Sequence, residues 1–159
     1  MGRTHTVVPS PIGPLTVVAD EGALVRLYLS PPGPQADLGI RDDTALAEVT
    51  GQLGEYLTGG REAFDLPLRP SGSGFELAVW EQLTRIPYGR TSTYGEVARA
   101  VGQPGGAQAV GLACGRNPLA IVVPCHRVVG ADGSLVGFGG GLPRKRFLLD
   151  LEQRGDRLF

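Results

Sequence analysis

The run Arg69-Pro70-Ser71-Gly72-Ser73-Gly74 divides the chain into two parts that differ in periodicity and in charge. Proline withholds a backbone donor and glycine accepts almost any backbone angle, so neither a helix nor a central strand continues through such a run. Residues 1–74 carry 5 Arg against 9 Asp and Glu, a net charge of −4, whereas residues 75–159 carry 10 Lys and Arg against 7 acids, a net of +3. The 159 residues suffice for two small domains, 1–73 and 74–159. Only the second has the sign that a polyanion attracts, a property hidden in the overall charge of −1.

The first part reads as a small α/β unit. Apolar runs at Val7-Val8, Leu15-Thr16-Val17-Val18 and Leu24-Val25-Arg26-Leu27-Tyr28-Leu29 are broken by Pro-Ser-Pro-Ile-Gly-Pro and Asp20-Glu21-Gly22, which is hairpin punctuation between short strands. The Pro-rich stretch 30–36 is a loop. Leu46, Val49, Leu53, Tyr56 and Leu57 recur at helical spacing and predict a helix over 44–57, and a short strand is expected over 64–68.

After the linker, Phe75, Val79 and Leu83 share a face with Trp80 beside it and predict a helix over 75–84, stopped at Ile86-Pro87-Tyr88-Gly89. Ser92 is the expected N-cap of a helix over 94–101, buried through Val97, Ala98 and Val101. The turn Gly102-Gln103-Pro104-Gly105-Gly106 leads to another helix over 107–114. Two short helices joined by a Gly-containing turn are the helix-turn-helix pattern. The second, Ala-Gln-Ala-Val-Gly-Leu-Ala-Cys, has almost no charge or bulk. It suits a tightly packed core, and equally a helix lying close against a narrow DNA groove; among base-reading side chains it offers only Gln108, so any DNA would be held by shape and backbone.

Asn117-Pro118 ends this helix, and Leu119-Ala120-Ile121-Val122-Val123 predicts a buried strand running into Pro124-Cys125-His126-Arg127-Val128. A nucleophilic cysteine needs a neighbouring base, cation or helix N-terminus, and His126 and Arg127 are candidates. Adjacent strand residues face opposite ways, so His126 would reach Cys125 only through a turn or a bridging water. Taken alone, a Cys-His pair is more often an inert thiol beside a structural histidine. Residues 143–151 read as a closing helix. Cys114 and Cys125 are the only cysteines, with no secretory leader and no bilayer-spanning apolar run, so they read as reduced thiols of a soluble cytoplasmic protein. His5 and His126 lie far apart and no Cys/His group has zinc-ligand spacing, so no metal and no cofactor are expected.

Pro124-Cys125-His126-Arg127-Val128 resembles the active-site signature of the O6-alkylguanine-DNA alkyltransferases. The resemblance extends over Tyr94-Gly95-Glu96-Val97-Ala98, Asn117-Pro118, Gly133, Gly137, Gly140-Gly141-Leu142, Lys145, Leu148-Leu149 and Glu152, and Ser10-Pro11-Ile12-Gly13-Pro14-Leu15 resembles the opening of the family's N-terminal domain. It implies an RNase H-like N-terminal domain and a winged-helix-like C-terminal domain that binds duplex DNA containing O6-alkylguanine. The lesion would be flipped from the minor groove, because a stacked alkyl carbon is closed to in-line attack. Cys125 would be the acceptor, activated through water by His126, with Glu152 orienting the imidazole, Asn117 fixing the site loop, and Tyr94 crowding the rotating phosphate. The implied DNA- and base-facing set is Tyr94, Gln108, Ala109, Cys114, Arg127, Val128, Phe138, Gly139 and Gly140. Residues 136–142 would form the pocket wall, with glycine amides donating to O6 as guanine leaves. Cys114 reads as an apolar packing residue rather than a second acceptor. The protein is expected to act as a monomer, on the nucleoid when bound to DNA, with cooperative binding along DNA left open.

Two residues depart from the family pattern. Gln108 stands where an arginine usually enters the base stack, which removes a positive charge from the interface. Phe138 stands where a tyrosine hydroxyl commonly reaches O6, and one lost donor to a developing charge slows such chemistry roughly 10- to 1000-fold unless replaced. They keep a second reading in view, a lesion-binding sensor without transfer activity, although such relatives lack the cysteine. A plain winged-helix transcription factor leaves Cys125, His126 and Glu152 unexplained.

Overall fold

The computed structural model describes the backbone of residues 2–157 and the side chains of residues 2–154. The chain forms two compact units, Met1–Ser71 and Gly72–Phe159.

The first unit is built on a four-stranded sheet of β1 (Arg3–Val8), β2 (Leu15–Asp20), β3 (Ala23–Tyr28) and β4 (Ile40–Arg41), in the order β3-β2-β1-β4. The first three strands pair antiparallel, and β4 joins β1 in parallel. Glu21 and Gly22 connect β2 to β3 with φ of 50° and 83°, the two-residue geometry that follows the natural twist of a hairpin. Leu15, Thr16, Val17, Val18 and Ala19 are all buried, so β2 is covered on both faces and reads as a continuous apolar run rather than an alternation. Helix α1 (Ala47–Leu57) buries Val49, Gln52, Leu53, Tyr56 and Leu57, one stripe of a 3.6-residue period.

The strand expected over 64–68 does not form, apart from a single bridge between Leu24 and Leu68. The Gln52 side chain takes the backbone instead, donating to Asp65 O at 3.1 Å and accepting from Asp65 N at 2.9 Å. Pro67 has no N–H to offer a ladder, and only its carbonyl is used, by Leu24 N.

The second unit opens with α2 (Gly74–Leu83), whose start is a complete capping box between Ser73 and Glu76. The linker thus ends as a helix cap. A Cβ on Gly72 would lie 2.6 Å from the Trp80 ring, so any side chain there would force the indole to shift. Helix α3 (Tyr94–Ala100) is capped by Thr93 with Glu96, not by Ser92. Ser92 and Thr93 instead form β5, paired in parallel with β6 (Val128–Val129). A tight turn at Gly102 leads to α4 (Ala107–Gly115), and α3 and α4 bury Val97, Ala98, Val110 and Ala113. The Trp80 Nε1–H donates to Ala113 O at 2.9 Å, tying α2 to the last turn of α4. Helix α5 (Leu142–Arg157) closes the unit.

No strand forms over residues 119–123. Ile121 has a φ of 77°, and Val123 N returns to Leu119 O at 2.8 Å, so the segment folds back on itself as a buried loop. Asn117 closes it, accepting from Leu119 N at 2.9 Å and donating to Val123 O at 2.8 Å. A side chain here supplies the partners that a sheet would otherwise provide.

Candidate active site

The loop delivers Cys125 to the start of a 3-10 turn, Cys125–Arg127, and not to the end of a strand. The turn removes the alternation that would have set His126 against its neighbour. Cys125 is 5% exposed, His126 fully buried and Arg127 nearly so. Burial pushes the Cys125 thiol up, while the Asn117 side chain and the Lys145 ammonium draw it back down.

Behind the thiol lies a buried charged cluster. His126 Nε2 is 2.7 Å from Glu152 Oε2. Arg127 donates to both oxygens of the same carboxylate, from Nε at 2.8 Å and from Nη2 at 3.0 Å, and its Nη1 donates to Ile86 O at 2.7 Å. Burial holds the His126 pKa below its ordinary value; Glu152 opposes that shift, and the charges on Arg127 and Lys145 add to it. An ionised carboxylate only accepts, so the proton of a neutral His126 resides on Nε2.

Lys145 is fully buried and bears on the thiol as a second charged group. Its Nζ donates to Val128 O at 2.6 Å, Val136 O at 2.9 Å and Gly137 O at 3.3 Å. It also lies 3.5 Å from the Tyr94 hydroxyl, which donates to Val136 O at 2.8 Å. One ammonium thereby gathers β6 and the loop over 136–137 beside α3. Burial lifts the Tyr94 hydroxyl to about 12, with the Cys114 and Cys125 thiols adding to the rise. The Cys114 thiol is also lifted to about 12 by burial, then by Cys125.

The structure therefore brings Tyr94, Cys114 and Cys125 near Lys145, with Asn117 on the Cys125 thiol and Glu152 on His126. Gln108 and Ala109 are exposed on α4 with Leu112. Phe138, half-buried, and Gly139 and Gly140 follow β6 in the loop before α5; the Gly140 carbonyl accepts from Arg144 at 2.8 Å. Arg127 and Val128, expected in the DNA- and base-facing set, are buried. The guanidinium of Arg127 is spent on Glu152 and Ile86, and Val128 is fully buried with its carbonyl on Lys145.

Sequence reasoning gave Lys145 no role, yet the signal was present. Lys145, Leu148, Leu149 and Glu152 occupy positions i, i+3, i+4 and i+7 of α5 and are all buried, so a cation and an acid stand on the apolar stripe of a helix. Among the described residues no group of three or more His, Cys, Asp or Glu side chains is placed to hold a metal, and no helix is long and apolar enough to cross a membrane.

Comparison with known proteins accords with this arrangement. A family profile described as 6-O-methylguanine DNA methyltransferase, DNA binding domain, matches residues 74–154, and one described as 6-O-methylguanine DNA methyltransferase, ribonuclease-like domain, matches residues 4–70. The chain is 47% identical over 152 residues to a methylated-DNA–protein-cysteine methyltransferase of Mycolicibacterium paratuberculosis, covering 94% of this chain and 92% of that one. The crystal structure of the Mycobacterium tuberculosis O6-methylguanine methyltransferase matches with a TM-score of 0.89 and 44% identity, over 96% of this chain and 93% of that one. That of Mycobacterium tuberculosis OGT in complex with DNA matches with a TM-score of 0.88 and 44% identity, over 97% and 94%.

Proposed function

Because the chain belongs to the 6-O-methylguanine DNA methyltransferase family and is a DNA-repair enzyme that transfers methyl groups from DNA to a protein cysteine, we propose that Cys125 is the acceptor and that each molecule reacts once. The observation that carries the assignment is a thiol at the head of a 3-10 turn, with an imidazole bound to a carboxylate next to it. The other cysteine, Cys114, has its thiol lifted to about 12 and no imidazole beside it in the chain.

The substrate is O6-alkylguanine in duplex DNA. Helix α4 enters the minor groove through its small, neutral outer face, with Gln108 filling the gap left by the flipped base and Ala109 against the backbone. The base enters between Tyr94 and the loop over 136–140, where the amides of Gly139 and Gly140 stand in for the hydroxyl that Phe138 lacks. His126, bound to Glu152 through Nε2, takes the thiol proton at Nδ1 through a water. The sulfur then forms a bond to the alkyl carbon as the carbon–O6 bond breaks, and the electron pair passes to O6. The proton held on His126 finally neutralises the departing guanine, so charge and mass balance without a cofactor. The product is a thioether, which has no proton to lose and no route back.

Intact-protein mass spectrometry after incubation with a duplex containing O6-methylguanine tests the proposal. A gain of one methylene unit per molecule, mapped to the peptide with Cys125, is expected, and Cys125→Ala should bind the duplex without gaining mass. Tight binding without an adduct in the wild-type protein would overturn transfer in favour of a lesion sensor.

A further inference from the structure

The structure assigns Arg127 a part in the chemistry: we propose that it is the positioning residue whose charge balances Glu152, so that His126 rests neutral and is free to accept the thiol proton. The proposal rests on the reading of His126 as the base.

A carboxylate and an imidazole buried together, 2.7 Å apart, have a preferred state of their own. Leaving the carboxylate uncompensated in a dry site is costly, so the pair takes up a proton and becomes imidazolium and carboxylate. An imidazolium cannot serve as a base. In this cluster the carboxylate is already paired, because Arg127 grips it with two parallel bonds of 2.8 and 3.0 Å in the planar fork that guanidinium alone provides. Arginine stays charged at any working pH, so the Arg127–Glu152 pair is neutral as it stands. Adding a proton to His126 would create a net positive charge beside a second buried cation, Lys145.

Arg127 is itself fixed from two further directions. Nη1 donates to Ile86 O at 2.7 Å, and the guanidinium carbon lies 5.7 Å from the centre of the Tyr88 ring. The ionised groups that bear on the imidazole include Glu152 and Lys145 from α5 and Arg127 from its own turn. Helix α2, which also packs on the turn, has its acids occupied elsewhere, with Glu76 on Arg116 and Glu81 on Arg85. Glu152 remains bonded to the imidazole throughout, so the imidazolium formed during transfer is stabilised when it appears without being the resting state.

The test reads the charge of His126 directly. The chain has two histidines, so nitrogen NMR of the wild-type protein, with His5→Gln for assignment, resolves the ring. A neutral imidazole with its proton on Nε2 is expected at pH 7; an imidazolium, or a proton on Nδ1, would overturn the proposal without any change to the cluster. In Arg127→Gln the ring should be an imidazolium at pH 7. The acid limb of transfer from free O6-benzylguanine to Cys125 should then move up by about one pH unit or more, which is a loss of about tenfold or more on that limb. Arg127→Gln with Glu152→Gln, both charges gone, should return the ring to neutral, a recovery that a purely structural role does not predict. A folded Arg127→Gln protein with a neutral ring and an unmoved limb would also overturn the proposal. Absence of any Cys125 adduct in the wild-type protein would instead strike at the transferase reading, leaving the charge of His126 to be read on its own.

Discussion

At the scale of the residue, the chemistry turns on a few side chains whose surroundings matter more than their identity. Phe138 carries no hydroxyl, and the pocket proposed above relies on the Gly139 and Gly140 amides in its place. Phe138→Tyr is expected to raise the single-turnover transfer rate by roughly tenfold or more where that hydroxyl is limiting; an unchanged rate in rapid-quench kinetics would show the glycine amides to be sufficient. The contact of His126 with Glu152 follows a pattern the sequence carries, a short specific motif and its distant partner. The burial of Arg127 was not legible, because a surface arginine and a buried one look alike in one dimension. Only the carboxylate that the guanidinium meets, 25 residues further along the chain, distinguishes them.

At the scale of the element, the segment over 119–123 shows how an apolar run misleads. Five apolar residues fit a buried strand and a buried loop equally well, and the choice falls to Asn117, whose side chain satisfies both ends of the loop. Asn117→Ala leaves the amide of Leu119 and the carbonyl of Val123 without those partners inside the protein. Each unmet buried group costs about 1–3 kcal/mol, so a loss of roughly 2–6 kcal/mol is expected in chemical denaturation. The same change removes one of the influences that draw the thiol down, so transfer should slow at neutral pH and recover as pH rises. The N-cap misread at Ser92 is smaller: two hydroxyl residues stand in a row, and the Glu three places after Thr93, not after Ser92, completes the capping box. On α4 the neutral outer face makes its own prediction. Gln108→Arg should tighten DNA binding and steepen the salt dependence by about 0.9 in log K against log salt, the contribution of one added phosphate contact. A slope identical to the wild-type value, measured by fluorescence anisotropy, would place residue 108 away from the DNA.

At the scale of the whole molecule, proline, glycine and a reversal of charge coincide over residues 69–74, and the two compact units meet between Ser71 and Gly72. The pairing of β5 with β6 was not legible in the sequence, because two strands of two residues carry no periodicity. Buried ionisable groups set how stability should follow pH. His126 is held below its ordinary value of 6.5, so as pH falls through 6.5 the unfolded chain takes up a proton that the folded protein refuses, and stability declines. Cys114 and Cys125 are held above their ordinary value of 9.0, so above pH 9.0 the unfolded chain releases protons that the folded protein keeps, and stability declines again. Melting temperature should therefore pass through a plateau between about pH 6.5 and 9, with the acid decline beginning before ordinary carboxylates titrate. A melting temperature flat from pH 7 down to 5 would show that His126 protonates without penalty in the fold.

The order of these parts along the chain has a consequence for biosynthesis. A ribosome releases the 3-10 turn with Cys125, His126 and Arg127 before α5, and α5 brings both Lys145 and Glu152. Until that helix emerges and docks, the thiol lacks its nearby ammonium and the imidazole lacks its carboxylate. The transfer chemistry proposed for Cys125 therefore depends on α5, which supplies both groups, being in place.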